Sequence, residues 1–205
     1  MSLPRGGERL SRSGIARRRL LAALVSLGVP ACAPVTLIEP AGESDPGLFI
    51  SASPPFVPTQ PAVMEAMLSL AEIGPRDVVY DLGCGDGRLV IAACKRFGAR
   101  GLGVDLDDRL VAVAQAEAQW QGVADRAVFA TRNIFDVDLT PATVVMLYLS
   151  VEINLKLRSR LLAELPPGAR IVSNRFDMAD AWLPERTIYA GGTPVHLWRI
   201  PRRTA

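Results

Sequence analysis

Three observations predict an α/β fold with a doubly wound, mostly parallel sheet of seven strands and a C-terminal β-hairpin. A β-rich run, Val78-Val79-Tyr80-Asp81-Leu82, enters the turn Gly83-Cys84-Gly85-Asp86-Gly87, and a helical pattern starts at Arg88. β-rich and helical segments then alternate as far as residue 176, as expected of parallel strands with helices on both faces and ligands at the strands' C-terminal ends. Two last β-rich runs, Glu185 to Ala190 and Pro194 to Ile200, face each other across Gly191-Gly192 as a hairpin.

The 205 residues, 49% hydrophobic and 21% charged, are enough for one full core and too few for two comfortable ones. Residues 1–33 read as an address: six arginines, an apolar run from Leu20 to Val29, then Pro30-Ala31-Cys32-Ala33. The apolar run is shorter than the roughly 20 residues that span a bilayer. Ala16-Arg17-Arg18-Arg19-Leu20-Leu21 is similar to a twin-arginine export motif, with Ala16 and Leu20 departing from it. Cleavage after Ala33, or lipid attachment at Cys32, are both expectations of this pattern. Export to the periplasm or anchoring at a membrane through Cys32 follows, and a cytoplasmic location is the alternative if the signal does not function. Residues 34–58, rich in Pro, Gly and Ser, read as a linker and loop, leaving residues 59–205 as the folded domain.

Thr59-Gln60-Pro61 opens the first helix, with Thr59 as N-cap and an apolar face of Val63, Met64, Met67, Leu68 and Ala71 before Gly74-Pro75. After the glycine turn, Leu89, Val90, Ala93, Cys94 and Phe97 keep helical spacing up to Gly98. The second strand runs from Arg100 to an end at Asp105, a helix from Asp107 reaches Trp120, and the third strand is Ala127 to Thr131 with Asn133-Ile134 at its tip. Ala142 to Leu149 is the most apolar stretch of the domain, as expected of a central parallel strand covered on both faces. Ser150 caps the next helix, whose Glu152 and Lys156 form an i,i+4 pair, and the fifth strand is Ala169 to Phe176.

Charge and composition exclude several classes. The formal +2 is carried by the N-terminal segment: without residues 1–33, 17 basic residues face 20 acidic ones, a net −3, which leaves no nucleic-acid footprint. One histidine, His196 in a late strand, and no Cys-x-x-Cys argue against a metal site. Glycines where a strand turns into a helix let backbone N–H groups approach a nucleotide-like ligand. About 20 residues further on, an acid ending the second strand suits a ribose, and Asp105 stands there. The third glycine comes one residue earlier than in the dinucleotide fingerprint, with Arg88 in its place, which argues against a Rossmann oxidoreductase.

Asp81-x-Gly83-x-Gly85-x-Gly87 resembles motif I of the class I S-adenosylmethionine (SAM) methyltransferases. The runs from Phe56 to Leu68, from Tyr80 to Asp107 and from Leu147 to Leu162 are similar to one branch of them. These are the lysine methyltransferases of the ATP synthase c subunit and archaeal protein-lysine relatives. The resemblance covers residues 56–200 and implies a Rossmann-like methyltransferase fold, SAM as cofactor and a protein lysine as acceptor. It implies that Asp81, Gly83, Cys84 and Gly85 hold the methionine end, with Thr59 in the segment closing over it. Asp105 and Leu106 then meet the ribose, and Asn133 and Ile134 the adenine. Asn133 stands where the family has Asp, and Ile134 reads equally as ordinary packing. Tyr148, at the end of the fourth strand, borders the cofactor and is the first candidate to orient the amine. Glu152 and Asp177 are further catalytic candidates; all three have plain structural readings, as packing, ion pair and turn cap. An exported binding or structural module that keeps this fold without catalysis is the alternative function, because SAM is made in the cytoplasm.

Overall fold

The computed structural model of the chain describes residues 56–201, so the N-terminal signal expected at residues 1–33 and most of the loop at 34–58 lie outside the described residues. The elements are α1 (Pro61–Leu70), β1 (Val78–Leu82), α2 (Arg88–Phe97), β2 (Arg100–Asp105), α3 (Asp108–Trp120), β3 (Ala127–Thr131), β4 (Val144–Leu147), α4 (Val151–Glu164), β5 (Arg170–Asn174), β6 (Arg186–Ala190) and β7 (Thr193–Arg199). They build a seven-stranded sheet in the order β3-β2-β1-β4-β5-β7-β6. Strands β1 to β5 are parallel, and β7 inserts antiparallel between β5 and β6, closing the predicted hairpin at Gly191-Gly192.

Strand alternation divides the core between the two faces. Val79, Val144, Met146, Val172, Val195 and Leu197 face α1 and α2, meeting Met67, Leu68, Leu89 and Ala93. Tyr80, Leu82, Val145, Leu147 and Ile171 face the other way, onto Leu157, Leu161 and Leu165 at α4. Helix α3 adds a third cluster, in which Val111, Ala114 and Ala118 meet Phe129 and Val90. All four residues of β4 are fully buried, which explains its unbroken apolar sequence.

Four local expectations change. Helix α1 is capped by Gln60, not Thr59, and Gln60 makes no side-chain cap bond. The residue before a proline is held extended, Gln60 at φ −63° and ψ 146°, and Pro61 at the first helical position has no N–H to satisfy. Strands β3 and β4 are joined by a three-residue 3-10 turn, Ile134–Asp136, where a helix was expected between each pair of the first five strands. Asp138 closes a turn onto the Thr140 N–H just beyond it, at 2.9 Å, and leaves no length for an α-helix. Strand β4 starts at Val144 because the Thr143 hydroxyl accepts the Val78 N–H at 2.9 Å and donates to Asp77 at 2.7 Å. Strand β5 stops at Asn174 because Arg175 turns into the left-handed region at φ +68°.

Among the described residues, no helix is long and apolar enough to cross a membrane.

Candidate functional site

The C-terminal ends of β1 and β2 fold together through backbone bonds. The Val104 carbonyl accepts both the Gly83 and the Cys84 N–H at 2.9 Å, drawing the glycine turn across the end of β2. Asp105 secures the same junction: its carboxylate accepts the Gly85 N–H at 2.9 Å and the Asp107 N–H at 3.1 Å. Asp107, where the helix was expected to begin, caps α3 by accepting the Arg109 N–H at 3.0 Å, which leaves Asp105 free of that duty. Leu106, between them, is exposed.

Gly85 has φ +53°, and a Cβ there would lie 2.2 Å from the Phe56 ring. Only glycine admits both the turn and the aromatic lying on it. The segment carrying Phe56 is tied down by Arg88, which donates to the Thr59 carbonyl at 3.0 Å while its guanidinium pairs with Asp86. Thr59 itself is buried, and its backbone, not its side chain, makes the recorded bond.

Asp81 is 4% exposed and its carboxyl has no hydrogen-bond or ion-pair partner among the described residues. Burial first, then the negative charges of Asp105 and Asp86, push it up to about 8. Among the described residues, neither Asp81 nor Asp105 is paired with a cation, so no positive charge of the fold offsets either acid when it ionises. A ligand bearing a sulfonium or ammonium supplies what these residues lack. The residues present therefore fit the methionine end of SAM. Cys84 and Cys94 are free and buried, and burial raises both thiols, so neither is a nucleophile.

The other expected residues stand at the sheet's same end with local partners of their own. Asn133 follows β3 and its side-chain oxygen accepts the Phe135 N–H at 3.0 Å; a second lone pair stays available. Ile134 is half-buried and packs with Phe135 against the α4-side core. Tyr148, one residue past β4, stacks on Phe176 with centroids 6.2 Å apart and rings inclined by 25°. Glu152 is exposed on α4 and bonded to Lys156 at 2.8 Å, which holds its carboxyl below the usual range. Asp177 accepts the Ala179 N–H at 3.0 Å and caps a short turn. His196 lies in the sheet against Thr187 at 2.9 Å.

Several participants escape a reading of the sequence. Arg88, visible there only as a departure from a glycine pattern, clasps the loop to the segment before α1. Phe176 completes an aromatic pair with Tyr148. Asn154 on α4 is fully buried and donates to the Phe176 carbonyl at 3.1 Å and the Asp177 carbonyl at 3.3 Å. Asn174 ends β5 at 3% exposure. Within the predicted strand Ala169 to Phe176, Arg170, Ser173 and Arg175 are polar as well, so nothing in the pattern singles Asn174 out.

With this geometry in place, known proteins can be compared. The model of the ANTKMT methyltransferase domain matches residues 81–186. A protein-lysine N-methyltransferase of Saccharolobus islandicus is 41% identical over 65% of this chain and 83% of its own length. The adenine nucleotide translocase lysine N-methyltransferase of Mus musculus is 33% identical, and the match spans 67% of this chain and 59% of that protein. A solved structure described as an RNA methyltransferase from Salinibacter ruber with S-adenosylhomocysteine superposes with a TM-score of 0.69 at 45% identity, covering 73% of this chain and 97% of that one.

Proposed function

The chain belongs to the family of the ANTKMT methyltransferase domain and is a methyltransferase that uses S-adenosylmethionine, and from that premise we propose that its acceptor is the ε-amine of a lysine in another protein. The observation that carries the cofactor assignment is the pair Asp81 and Asp105 around the Gly83–Gly85 turn, both without a cation. In this reading Asp81, Gly83, Cys84 and Gly85 hold the methionine end beneath the segment of Phe56 and Thr59. Asp105 and Leu106 receive the ribose, and Asn133 and Ile134 border the adenine.

When bound, SAM supplies a methyl group already activated on a sulfonium, so the protein's work is alignment and exclusion of water. The chain contributes the Tyr148–Phe176 pair at the ends of β4 and β5, an aromatic surface along which an unbranched lysine arm can lie. Removal of the amine from water against these rings disfavours the charged ammonium and lowers the amine's pKa, which frees its lone pair. Tyr148 is the residue we assign to orienting that amine. Glu152 and Asp177 are engaged by Lys156 and the Ala179 N–H, so the assignment does not draw on them.

The relation to the Salinibacter protein raises RNA as a second acceptor class. The net −3 of residues 34–205 speaks for protein, because tracking phosphates calls for excess positive charge. The deciding experiment incubates the full-length protein and methyl-labelled SAM with total bacterial protein and, separately, total RNA. Label recovered as methyl-lysine is the expected outcome; label confined to RNA would overturn it. Asp105→Ala is the control, expected to weaken S-adenosylhomocysteine binding by roughly a hundredfold, since a bidentate charged acceptor and the loop it holds are lost together.

We propose further that residues 1–33 direct export, the arginine-rich leader being its support, with Cys32 as the attachment point if the chain is anchored. A twin-arginine route moves folded proteins, so cofactor bound in the cytoplasm travels with the domain. Fractionation of cells carrying the full chain or an Arg17→Lys, Arg18→Lys variant tests this; recovery of both only from the cytoplasm would return the enzyme to the compartment where SAM is made.

A further inference from the structure

We propose that Asn174 is a catalytic residue, whose amide oxygen accepts a hydrogen bond from the acceptor amine. This rests on the amine-acceptor reading above and extends it to a residue at the end of β5.

Asn174 is 97% buried, and its Oδ1 has no hydrogen-bond partner among the described residues. A buried amide oxygen left without a donor is a cost that the fold recovers only when a donor arrives. Its place says which donor. Asn174 pairs in register with Val195, and Val195 belongs to the α1-side core, so the side chain lies on the α1 face. Asp81 shares that face, through the row Asp81, Met146 and Val172. The strand beside Asn174 is β4: Leu147 pairs with Ser173, which puts Tyr148 next to Asn174. The oxygen therefore sits on the cofactor side of the sheet, beside the residue that ends β4.

The loop after Asn174 is braced at some expense. Arg175, not a glycine, is held at φ +68°. From the opposite face Ser173 Oγ donates to the Phe176 carbonyl at 2.6 Å and Asn154 Nδ2 to the same carbonyl at 3.1 Å. These bonds fix Phe176 against Tyr148. The result is two aromatic rings and one unpartnered acceptor around the end of β4 and β5, suited to an amine on a narrow apolar arm.

The chemistry favours an acceptor of this kind. An amide oxygen takes an N–H of the neutral amine and leaves the nitrogen lone pair free. That pair forms the new N–C bond as the C–S pair stays with the departing thioether, and the methylated ammonium then loses its extra proton to solvent. A donor in the same place would tie up the lone pair instead.

Sinefungin tests this without knowledge of the acceptor, because it carries an amine where SAM carries its methyl-bearing sulfonium. Calorimetry on the full-length protein compares its affinity with that of S-adenosylhomocysteine. In Asn174→Leu the preference for sinefungin is expected to fall about tenfold while S-adenosylhomocysteine affinity and melting temperature hold. An unchanged preference, or a parallel loss for both ligands, would overturn the proposal. Should Asn174→Leu not fold, Asn174→Asp decides: it keeps an acceptor oxygen, so its preference should equal or exceed the parent's, and a lower one sinks the assignment. Loss of the methyl-lysine signal in cell protein with the sinefungin difference intact would reject the lysine reading and uphold Asn174.

Discussion

Asp81 concentrates the physics of the site in a single carboxyl group. Its folded pKa of about 8 stands above the ordinary 3.8, so the folded protein retains a proton there that the unfolded chain has released. Stability of the ligand-free protein should fall as pH rises from about 4 to about 8 and level off beyond, since the native state holds more protons throughout that window. A cationic ligand asks for the ionised form, so affinity should rise over the same range with release of a proton. The ligand's own amine titrates nearby, and the readout is the difference between parent and Asp81→Asn. The variant is expected to bind weakly, to lose the proton release seen by calorimetry in buffers of different ionisation enthalpy, and to be more stable than the parent above pH 8. Equal proton release in both proteins would contradict this account. The acid at this position was evident in the sequence from its distance to the glycines; its lack of a partner was not, because a missing contact depends on what every distant segment does.

At the level of elements, Phe129 links the strand ladder to the glycine turn. A Cβ on Gly103 in β2 would lie 2.5 Å from its ring and 2.9 Å from the Cβ of Cys84, and the same ring also closes on Gly87. Gly103→Ala should therefore cost about 1–3 kcal/mol through overpacking, read as a lower urea midpoint, and should weaken cofactor binding by displacing the turn. A variant as stable as the parent would show that the ring has room to move. Elements of this kind were largely legible. The alternation of β-rich and helical runs gave the strands, the cap at Ser150 and the hairpin, because periodicity and turn residues are local properties. Misplacements occurred where tertiary bonds set the boundary: Thr143 tied to Asp77 delays β4, and Arg175 in the left-handed region cuts β5 short. Gln60 displaced Thr59 as the cap because Pro61 constrains the residue before it. The aromatic partner of Tyr148 and the buried Asn154 and Asn174 stayed hidden for a related reason: Phe176 meets Tyr148 and Asn154, and Asn174 is enclosed, only once the elements around β5 are packed.

Across the whole molecule, strand order separates two duties. The chain reverses direction of growth between β1 and β4, the adjacent pair at which β3-β2-β1 gives way to β4-β5-β7-β6. Asp81, Asp105 and Asn133 end the strands on one side of that junction, and Tyr148 and Asn174 end those on the other. A ligand lying across it meets both groups, which is the general expectation for open α/β sheets. The clasp formed by Arg88 bears on the same crossing. One guanidinium holds Asp86 in the glycine turn and the Thr59 carbonyl before α1, so the turn and the segment above it part only when those bonds break. Residence time follows from this: spent cofactor leaves at the pace of that opening, and slow release would make the enzyme sensitive to inhibition by its own product. Arg88→Ala should raise the dissociation rate of S-adenosylhomocysteine several-fold in a stopped-flow displacement experiment, and an unchanged rate would mean that the exit lies elsewhere.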